Sequence, residues 1–265
     1  ILAERVFAPW EDFETELRGR GVPLLSLENR IPLDRFDILG FSLLYELNYS
    51  NVLNMLDLGR IPLYAKDRDL DFPLVIAGGP AAFNPEPIAH YFDLFLIGDG
   101  EEAFLEVIEK YFELTSELND KTSLLKEMAK ITGVYVPILY IPYRPQESSL
   151  LAVKPADSEP SQVKKRTLFP FHKAQFADDI VVPHIKVIFD RVAHEVARGC
   201  PQKCRFCQAS SIYFPPRVKN PSSVISGVLR SLRSTGYEDV SLTALSISDY
   251  PYLEGVVRSL MKELE

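Results

Sequence analysis

The sequence predicts an α/β protein in which an N-terminal doubly wound parallel sheet is followed by the first βα units of a barrel. Three observations predict this. Short apolar runs alternate with amphipathic stretches over residues 1–130, as parallel strands joined by helices do. The same alternation returns over residues 191–264. The chain has 265 residues, 46% of them hydrophobic, which is enough for two domains with separate cores.

The charge balance narrows the partners that the protein can have. Lys plus Arg number 29 and Asp plus Glu 37, which gives a net charge of −8 and disfavours non-specific binding to nucleic acid or anionic membrane. No apolar run reaches the roughly 20 residues that span a bilayer, and the N-terminus has no signal-peptide pattern. We therefore expect a cytoplasmic protein without a membrane partner. Because it begins with Ile1, we expect the chain to be part of a longer protein.

The N-terminal half has predicted strands and helices in alternation. The strands are Asp37–Leu43, Pro73–Ala77 and Phe92–Ile97, and the helices are Asn51–Leu58 and Glu101–Phe112. Parallel sheets bind ligands at the carboxyl ends of their strands. Four glycines follow two of these strands: Gly78, Gly79, Gly98 and Gly100. They predict either tight turns or a close approach of the backbone to a ligand.

The middle of the chain separates two predicted domains. A helical stretch over residues 117–130 precedes a short strand at 133–137, and prolines, lysines and serines dominate residues 142–170. We therefore predict one domain over residues 1–140, a linker with an edge segment over 141–185, and a second domain over 186–265. Lys164–Arg166 is expected to be solvated, and His172 and His184 to be surface residues or substrate contacts.

All three cysteines of the chain lie within eight residues, at Cys200, Cys204 and Cys207. An odd number at such close spacing does not predict a disulfide framework. Thiolates favour zinc or an iron–sulfur cluster, and a structural zinc site needs a fourth ligand. The nearest imidazole, His194, belongs to a predicted strand. The residues therefore favour an iron–sulfur site, with zinc or a redox thiol as the alternatives.

The cysteines lie inside a predicted strand–loop–helix–strand–helix segment. Its strands are Arg191–Ala197 and Val240–Ile247, and its helices are Pro221–Thr235 and Tyr252–Leu264. This order is typical of the opening of a βα barrel, whose site lies at the carboxyl ends of the strands. His194 and Glu195 are the polar residues of the first strand, and one of them must point into the barrel. Either could contact substrate.

The C-x3-C-x2-C spacing, with Phe206 directly before the last cysteine, resembles the radical S-adenosylmethionine (SAM) superfamily. The resemblance implies that the three cysteines ligate a [4Fe–4S] cluster, with SAM on the open iron and Phe206 beside its adenine. An external donor would supply one electron, and cleavage would give methionine and a 5′-deoxyadenosyl radical. Where the superfamily has a Gly-Gly-Glu-like segment against the methionine ammonium, this chain has Ser246, Ser248 and Asp249.

The N-terminal half resembles the cobalamin-binding-type domain that precedes many radical SAM domains. The segments that carry the likeness are 77–80, 84–87 and 97–102, and the match is to an uncharacterised subgroup of longer proteins. Cobalamin domains that ligate cobalt carry Asp-x-His-x-x-Gly after the first strand, whereas residues 6–13 contain no histidine. The resemblance implies cobalamin without a histidine ligand, held by Ser42 and the four glycines.

The predicted function is that of a radical SAM enzyme with an unidentified substrate. About 70 residues follow the start of the first barrel strand, enough for two βα units, so we expect the rest of the longer protein to complete the site. The chain alone is expected to be inactive. The alternatives are a non-enzymatic zinc module, a corrinoid-binding carrier, and a methylthiotransferase, which needs three further cysteines that residues 1–199 lack.

Overall fold

The structure, a computed structural model, describes residues 1–118, 120–146, 152–157, 160–171 and 180–264. It divides into two compact units, residues 1–167 and 168–265. The division falls inside the segment predicted as a linker. No helix among the described residues is long and apolar enough to cross a bilayer.

The first unit is built on a mostly parallel sheet. The strands of the unit are β1 (Ile38–Ser42), β2 (Leu74–Gly78), β3 (Leu94–Leu96), β4 (Val134–Tyr135), β5 (Tyr140–Tyr143) and β6 (Ala152–Pro155), of which β1 to β4 form this sheet. Its helices are α1 (Glu11–Arg20), α2 (Tyr49–Leu58), α3 (Gly100–Thr115) and α4 (Lys121–Met128). Strands β1, β2 and β3 are parallel, β4 joins β3 in antiparallel direction, and the order is β1-β2-β3-β4. The predicted α/β class is confirmed.

Burial explains why these segments become strands and helices. Residues 74–77 of β2 and all of β3 are buried, as expected for parallel strands covered on both faces. Helix α3 buries Ala103, Val107 and Tyr111, which recur every fourth residue along one face. Its apolar stripe therefore packs into the main core, which also contains Phe92 and Phe95.

A buried ion group ties the amino ends of β2 and β3 together. Asp93, whose side chain is 1% exposed, accepts a hydrogen bond of 2.7 Å from the Val75 amide. Its carboxylate lies 3.2 Å from Arg68 Nη2 and 2.8 Å from Lys121 Nζ. Burial lowers the pKa of Lys121, and the Asp93 charge acts in the opposite direction. The group fixes the entry of both strands into the sheet.

The predicted linker is partly folded onto the first unit. Strands β5 and β6 form an antiparallel pair, which the composition did not predict. Arg166 then forms a parallel bridge with Gly98, and its side chain pairs with Glu102 and Glu106 at 2.8 and 2.6 Å. The expectation that Arg166 is solvated is therefore wrong, because acidic residues on α3 supply partners from more than fifty positions away.

The second unit begins a parallel βα arrangement. Its strands are β7 (Val192–Glu195), β8 (Ala197–Arg198), β9 (Arg217–Val218) and β10 (Val240–Thr243). Its helices are α5 (Ala209–Ile212), α6 (Pro221–Thr235) and α7 (Leu253–Leu264). Strand β10 pairs in parallel with β7, with Val240 opposite Val192. The two strands are the first and second that the sequence predicts for a βα barrel.

Both predicted strands of this unit are shorter than expected. Val196 donates to the Thr243 carbonyl at 2.9 Å, but its own carbonyl accepts from the Lys219 amide at 2.8 Å. The first strand is therefore interrupted at Val196, and β8 pairs with β9 instead of continuing beside β10. Strand β10 ends at Thr243, and the residues up to Ile247 leave the sheet.

The predicted helix over Pro221–Thr235 is confirmed at both ends. The Asn220 side chain accepts from the Ser222 amide at 2.9 Å, and Pro221 occupies the first helical position. Gly236 ends the helix with φ +74 and donates its amide to the Leu232 carbonyl at 2.9 Å. Helix α7 confirms the helix predicted over Tyr252–Leu264. Helices α6 and α7 both pack on the core of the second unit, which includes Val192 and is distinct from the core of the first unit.

Candidate metal and cofactor site

The three cysteines lie on one closed loop, residues 199–216, which we name the cysteine loop. Its two ends are joined by the antiparallel pair of β8 and β9, in which Arg198 lies opposite Arg217. Inside the loop, the Cys207 amide donates to the Cys204 carbonyl at 3.0 Å. Cys204 is exposed, and Cys200 and Cys207 are half-buried, so none of the three residues belongs to the buried core.

Gly199 makes the closure of the cysteine loop possible. Its φ is +84, a conformation that glycine adopts at little cost. A Cβ at this position would lie 2.6 Å from the Tyr213 carbonyl oxygen and 2.9 Å from the Pro216 Cα. The outgoing and returning ends of the loop are therefore packed backbone to backbone, directly beside Cys200.

The thiols are close in sequence but are not gathered around a centre. Among the described residues, no three His, Cys, Asp or Glu side chains converge closely enough to hold a metal ion. The donor set nevertheless fits a thiophilic metal centre, because it offers three soft sulfur ligands on one accessible loop. In such a site the three thiolates would come together around the metal centre when it binds.

Strand β7 separates its two polar residues onto opposite faces. His194 is buried and faces α6, where a Cβ at Gly227 would lie 2.7 Å from its Cε1 atom. Glu195 alternates to the other face, is half-buried, and pairs with Arg198 at 3.0 and 2.9 Å. Of the two candidate substrate contacts, His194 and Glu195, only Glu195 therefore lies on the face that α6 does not cover. The packed His194 ring also counts against a role as fourth zinc ligand.

The residues predicted to contact SAM lie at the end of β10 and on the cysteine loop. Asp249 and Ser248 are exposed and Ser246 is half-buried, in a short 3-10 turn that follows β10. Asp249 accepts a 3.0 Å hydrogen bond from the Gln202 side chain, which connects this turn to the cysteine loop. Hydrogen bonds from Gln202 and Ser246 lower the pKa of Asp249. Phe206 is 92% exposed, with its ring free to meet a ligand.

In the first unit, two of the four predicted glycines are crowded by the protein's own backbone. A Cβ at Gly98 would lie 2.1 Å from the Arg166 carbonyl oxygen, and one at Gly79 would lie 2.7 Å from the Leu43 carbonyl oxygen. Both glycines have positive φ, at +108 and +102. Packing alone therefore explains both positions, and their role toward a cofactor stays a prediction.

The other predicted cofactor positions leave room at the carboxyl edge of the sheet. A Cβ at Gly100 would meet nothing within 4 Å, and one at Gly78 would make only ordinary contacts at 3.8 Å. Ser42 is exposed at the end of β1. The first strand is β1, and residues 43–48 after it contain no histidine, just as residues 6–13 do not.

A cavity of about 930 Å³ lies at the opposite, amino edge of the sheet, among residues that no sequence pattern singles out. Its walls include Tyr64, His90, Lys121 and the buried Asp93, contributed by loops and by the start of α4. None of these residues belongs to a motif, so no local signal in the sequence could reveal the cavity. Of the two remaining histidines, His184 is exposed and His172 lies outside the described residues.

Comparisons with known proteins bear on both units. The family described as "Radical SAM proteins, N-terminal" matches residues 1–137. The uncharacterized protein MJ0966 of Methanocaldococcus jannaschii is 27% identical over 244 residues, which are 90% of this chain and 45% of that protein. The chain thus spans less than half the length of this relative.

Solved structures resemble the chain in fold. TsrM from Kitasatospora setae, a radical SAM methyltransferase with tryptophan substrate and a SAM analogue bound, superposes with a TM-score of 0.51 at 14% identity. The match covers 96% of this chain and 43% of TsrM. TsrM with cobalamin and a [4Fe–4S] cluster bound gives a TM-score of 0.49 at 12% identity, over 96% and 44% of the two chains.

Proposed function

The chain belongs to the family of radical SAM proteins, and we propose on that basis that Cys200, Cys204 and Cys207 hold a [4Fe–4S] cluster that acts on SAM. The observation that carries the proposal is the cysteine loop itself. It presents every thiol of the chain on one segment, which follows the short strand β8 just beyond β7, the first strand of the parallel pair. Carboxyl ends of strands are where βα barrels place their chemistry.

The donor set agrees with a cluster better than with zinc. Three thiolates satisfy three irons of a four-iron cluster and leave one iron for an outside ligand, whereas structural zinc needs a fourth protein ligand. His194 is the nearest imidazole in sequence, and it packs against α6. When bound, a [4Fe–4S] cluster supplies the single electron that reductive cleavage of SAM requires. An external electron donor would supply that electron in turn.

The turn after β10 offers groups that suit the methionine end of SAM. Asp249 remains ionised at neutral pH, because the Gln202 and Ser246 hydrogen bonds lower its pKa. An exposed carboxylate can accept the SAM ammonium group, and the hydroxyls of Ser246 and Ser248 lie on the same turn. The exposed Phe206 ring offers a flat apolar surface for adenine.

Glu195 is the residue that we place toward the substrate. Its face of β7 is opposite the one that α6 covers, and its carboxylate is fixed by two hydrogen bonds from Arg198. A carboxylate held in this way keeps its orientation, so it can bind a substrate donor group. Residues across the barrel from Glu195 would contact the rest of the substrate and determine which substrate is bound.

The complete protein is proposed to supply further strands of the barrel. Within the described residues, the second unit contains one parallel pair, β7 with β10, and the relative MJ0966 is more than twice as long as the matched region. We therefore expect the chain alone to bind the cluster but not to turn over SAM. A longer natural protein that holds a cluster and leaves SAM intact would contradict the enzymatic proposal.

Cobalamin is a second proposed ligand, at the carboxyl edge of the first unit. Support comes from the exposed apolar side chains of Leu44, Tyr45 and Leu47, which follow β1 beside Ser42. A corrin ring has an extensive apolar surface that such residues could cover. An absorption spectrum of the protein fraction, recorded after gel filtration with added cobalamin, tests the idea. A protein fraction that carries no cobalamin absorbance would refute it.

Anaerobic reconstitution with iron and sulfide tests the main proposal. We expect close to four irons per chain and an EPR spectrum of the dithionite-reduced protein that changes when SAM is added. Cys204→Ser should lose the cluster, whereas Lys203→Ser, the same replacement one residue away, should keep it. One tightly bound zinc and no iron would show that the cysteines are structural.

A further inference from the structure

A single buried aromatic ring lies beneath the closed ends of the cysteine loop. Phe171, in the segment that opens the second unit, is only 3% exposed. The guanidinium carbons of Arg198 and Arg217 lie 5.0 and 5.3 Å from its ring centroid, and Lys219 Nζ lies 5.7 Å away. All three distances are within the range over which a ring quadrupole attracts a cation.

The two arginines are the cross-strand partners that close the loop. Arg198 belongs to β8, Arg217 belongs to β9, and they lie opposite each other in the ladder. Two guanidinium groups on neighbouring strands repel each other unless negative potential separates them. The face of Phe171 offers that potential to both at once, so the ring joins the strand that enters the cysteine loop to the strand that leaves it.

Each arginine is held by further bonds that fix its position on the ring. Arg198 donates to both carboxylate oxygens of Glu195, at 3.0 and 2.9 Å. Arg217 is buried and donates to the Pro215 carbonyl at 3.0 Å and to the Leu168 carbonyl at 3.3 Å. A shift of the Phe171 ring would therefore be transmitted to both ends of the loop, and Cys200 is only two residues beyond Arg198.

We propose that Phe171 is a positioning residue for the three thiols. Through Arg198 and Arg217 it holds the ends of the cysteine loop together, and this closure fixes where Cys200 and Cys207 lie relative to each other. The inference rests on the proposed function, in which those thiols bind the cluster. No motif in the sequence connects Phe171 with the cysteines, which follow 29 or more positions later.

The first experiment measures thiol reactivity in cluster-free protein, so it does not depend on the metal. Phe171→Leu keeps an apolar side chain but removes the ring, and it should raise the alkylation rates of the half-buried Cys200 and Cys207 by about five- to tenfold. Phe189→Leu is the matched control, because Phe189 also carries an arginine, Arg191, at 5.6 Å but is 75% exposed. Its alkylation rates should equal those of the unmodified chain.

The second experiment asks whether the ring itself matters. Phe171→Tyr keeps an aromatic face and should restore slow alkylation, together with the iron content and EPR line shape of the reconstituted protein. Equal rates for Phe171→Leu and Phe189→Leu, or a tyrosine variant as reactive as the leucine one, would overturn the proposal. If the unmodified chain binds zinc instead of iron, the proposed function fails, while the alkylation rates still decide the role of Phe171.

Discussion

Replacing Gly199 by alanine tests whether close packing of the loop ends holds the candidate site together. A Cβ at residue 199 meets two separate penalties, a φ of +84 and an approach of 2.6 Å to the Tyr213 carbonyl oxygen. The backbone conformation costs about 1–2 kcal/mol for a residue other than glycine. Relief of the overlap costs about 1–3 kcal/mol more, as in other overpacked positions.

Gly236 supplies a control in which only the first penalty operates. Its φ is +74, and a Cβ there would meet nothing within 4 Å. Gly236→Ala should therefore cost about 1–2 kcal/mol and leave the cysteine loop intact. The difference between the two variants, about 1–3 kcal/mol, isolates the contact between Gly199 and the returning backbone.

Amide hydrogen exchange measures this difference at the place where it arises. The Lys219 amide donates to the Val196 carbonyl at 2.8 Å and reports on the closed base of the loop. Each 1.4 kcal/mol lowers protection tenfold, so Gly199→Ala should exchange this amide roughly 5- to 150-fold faster than Gly236→Ala does. The Gly199→Ala variant should also retain less iron after reconstitution than the Gly236→Ala variant. Equal exchange and equal iron in both variants would refute the reasoning.

Three further predictions concern single contacts. Asp93→Asn should destabilise the first unit by about 3–5 kcal/mol in urea unfolding, because it leaves two buried cations without their carboxylate. Gly227→Ala should cost about 1–3 kcal/mol by pressing on the His194 ring, measured by thermal unfolding. The Gln202 bond to Asp249 should persist at neutral pH and be lost only below the usual carboxyl pKa of about 3.9, because the folded pKa is lowered; an NMR titration of the Gln202 side-chain amide checks this.

Local signals predicted the elements whose ends are set by local chemistry. Helix α6 has a capping asparagine, a proline at its first position and a glycine after its last turn, and all three are visible in the sequence. Strands β1 and β2 were likewise predicted within about a residue at each end. In β2, burial of residues 74–77 makes the strand a continuous apolar run.

Features that depend on distant partners were not predictable. The interruption of the first barrel strand at Val196 arises because Lys219, more than twenty residues later, takes its carbonyl as an acceptor. Arg166 lies in a proline- and lysine-rich stretch that suggests a linker, yet Glu102 and Glu106 bind it. No periodicity in the sequence contains such long-range pairing.

The candidate site divides in the same way. The three cysteines were identified from spacing alone, and the structure adds the hydrogen bond between Gln202 and Asp249, which joins the cysteine loop to the turn after β10. The alternation of a strand could say that His194 and Glu195 point to opposite faces, but not which face α6 would cover. That choice depends on the contact between His194 and Gly227.

The glycines show why residue type at a strand end does not by itself identify a ligand site. Gly79 and Gly98 are required by the backbone of Leu43 and Arg166, which would occupy the space of a side chain whether or not a cofactor binds. Gly78 and Gly100 have no such neighbour. If cobalamin binds at this edge, alanine at Gly100 should interfere with the cofactor and not with folding, whereas alanine at Gly98 should interfere with folding first. The proposed cradle is therefore tested at Gly100, where the protein's own packing gives no other reason for a glycine.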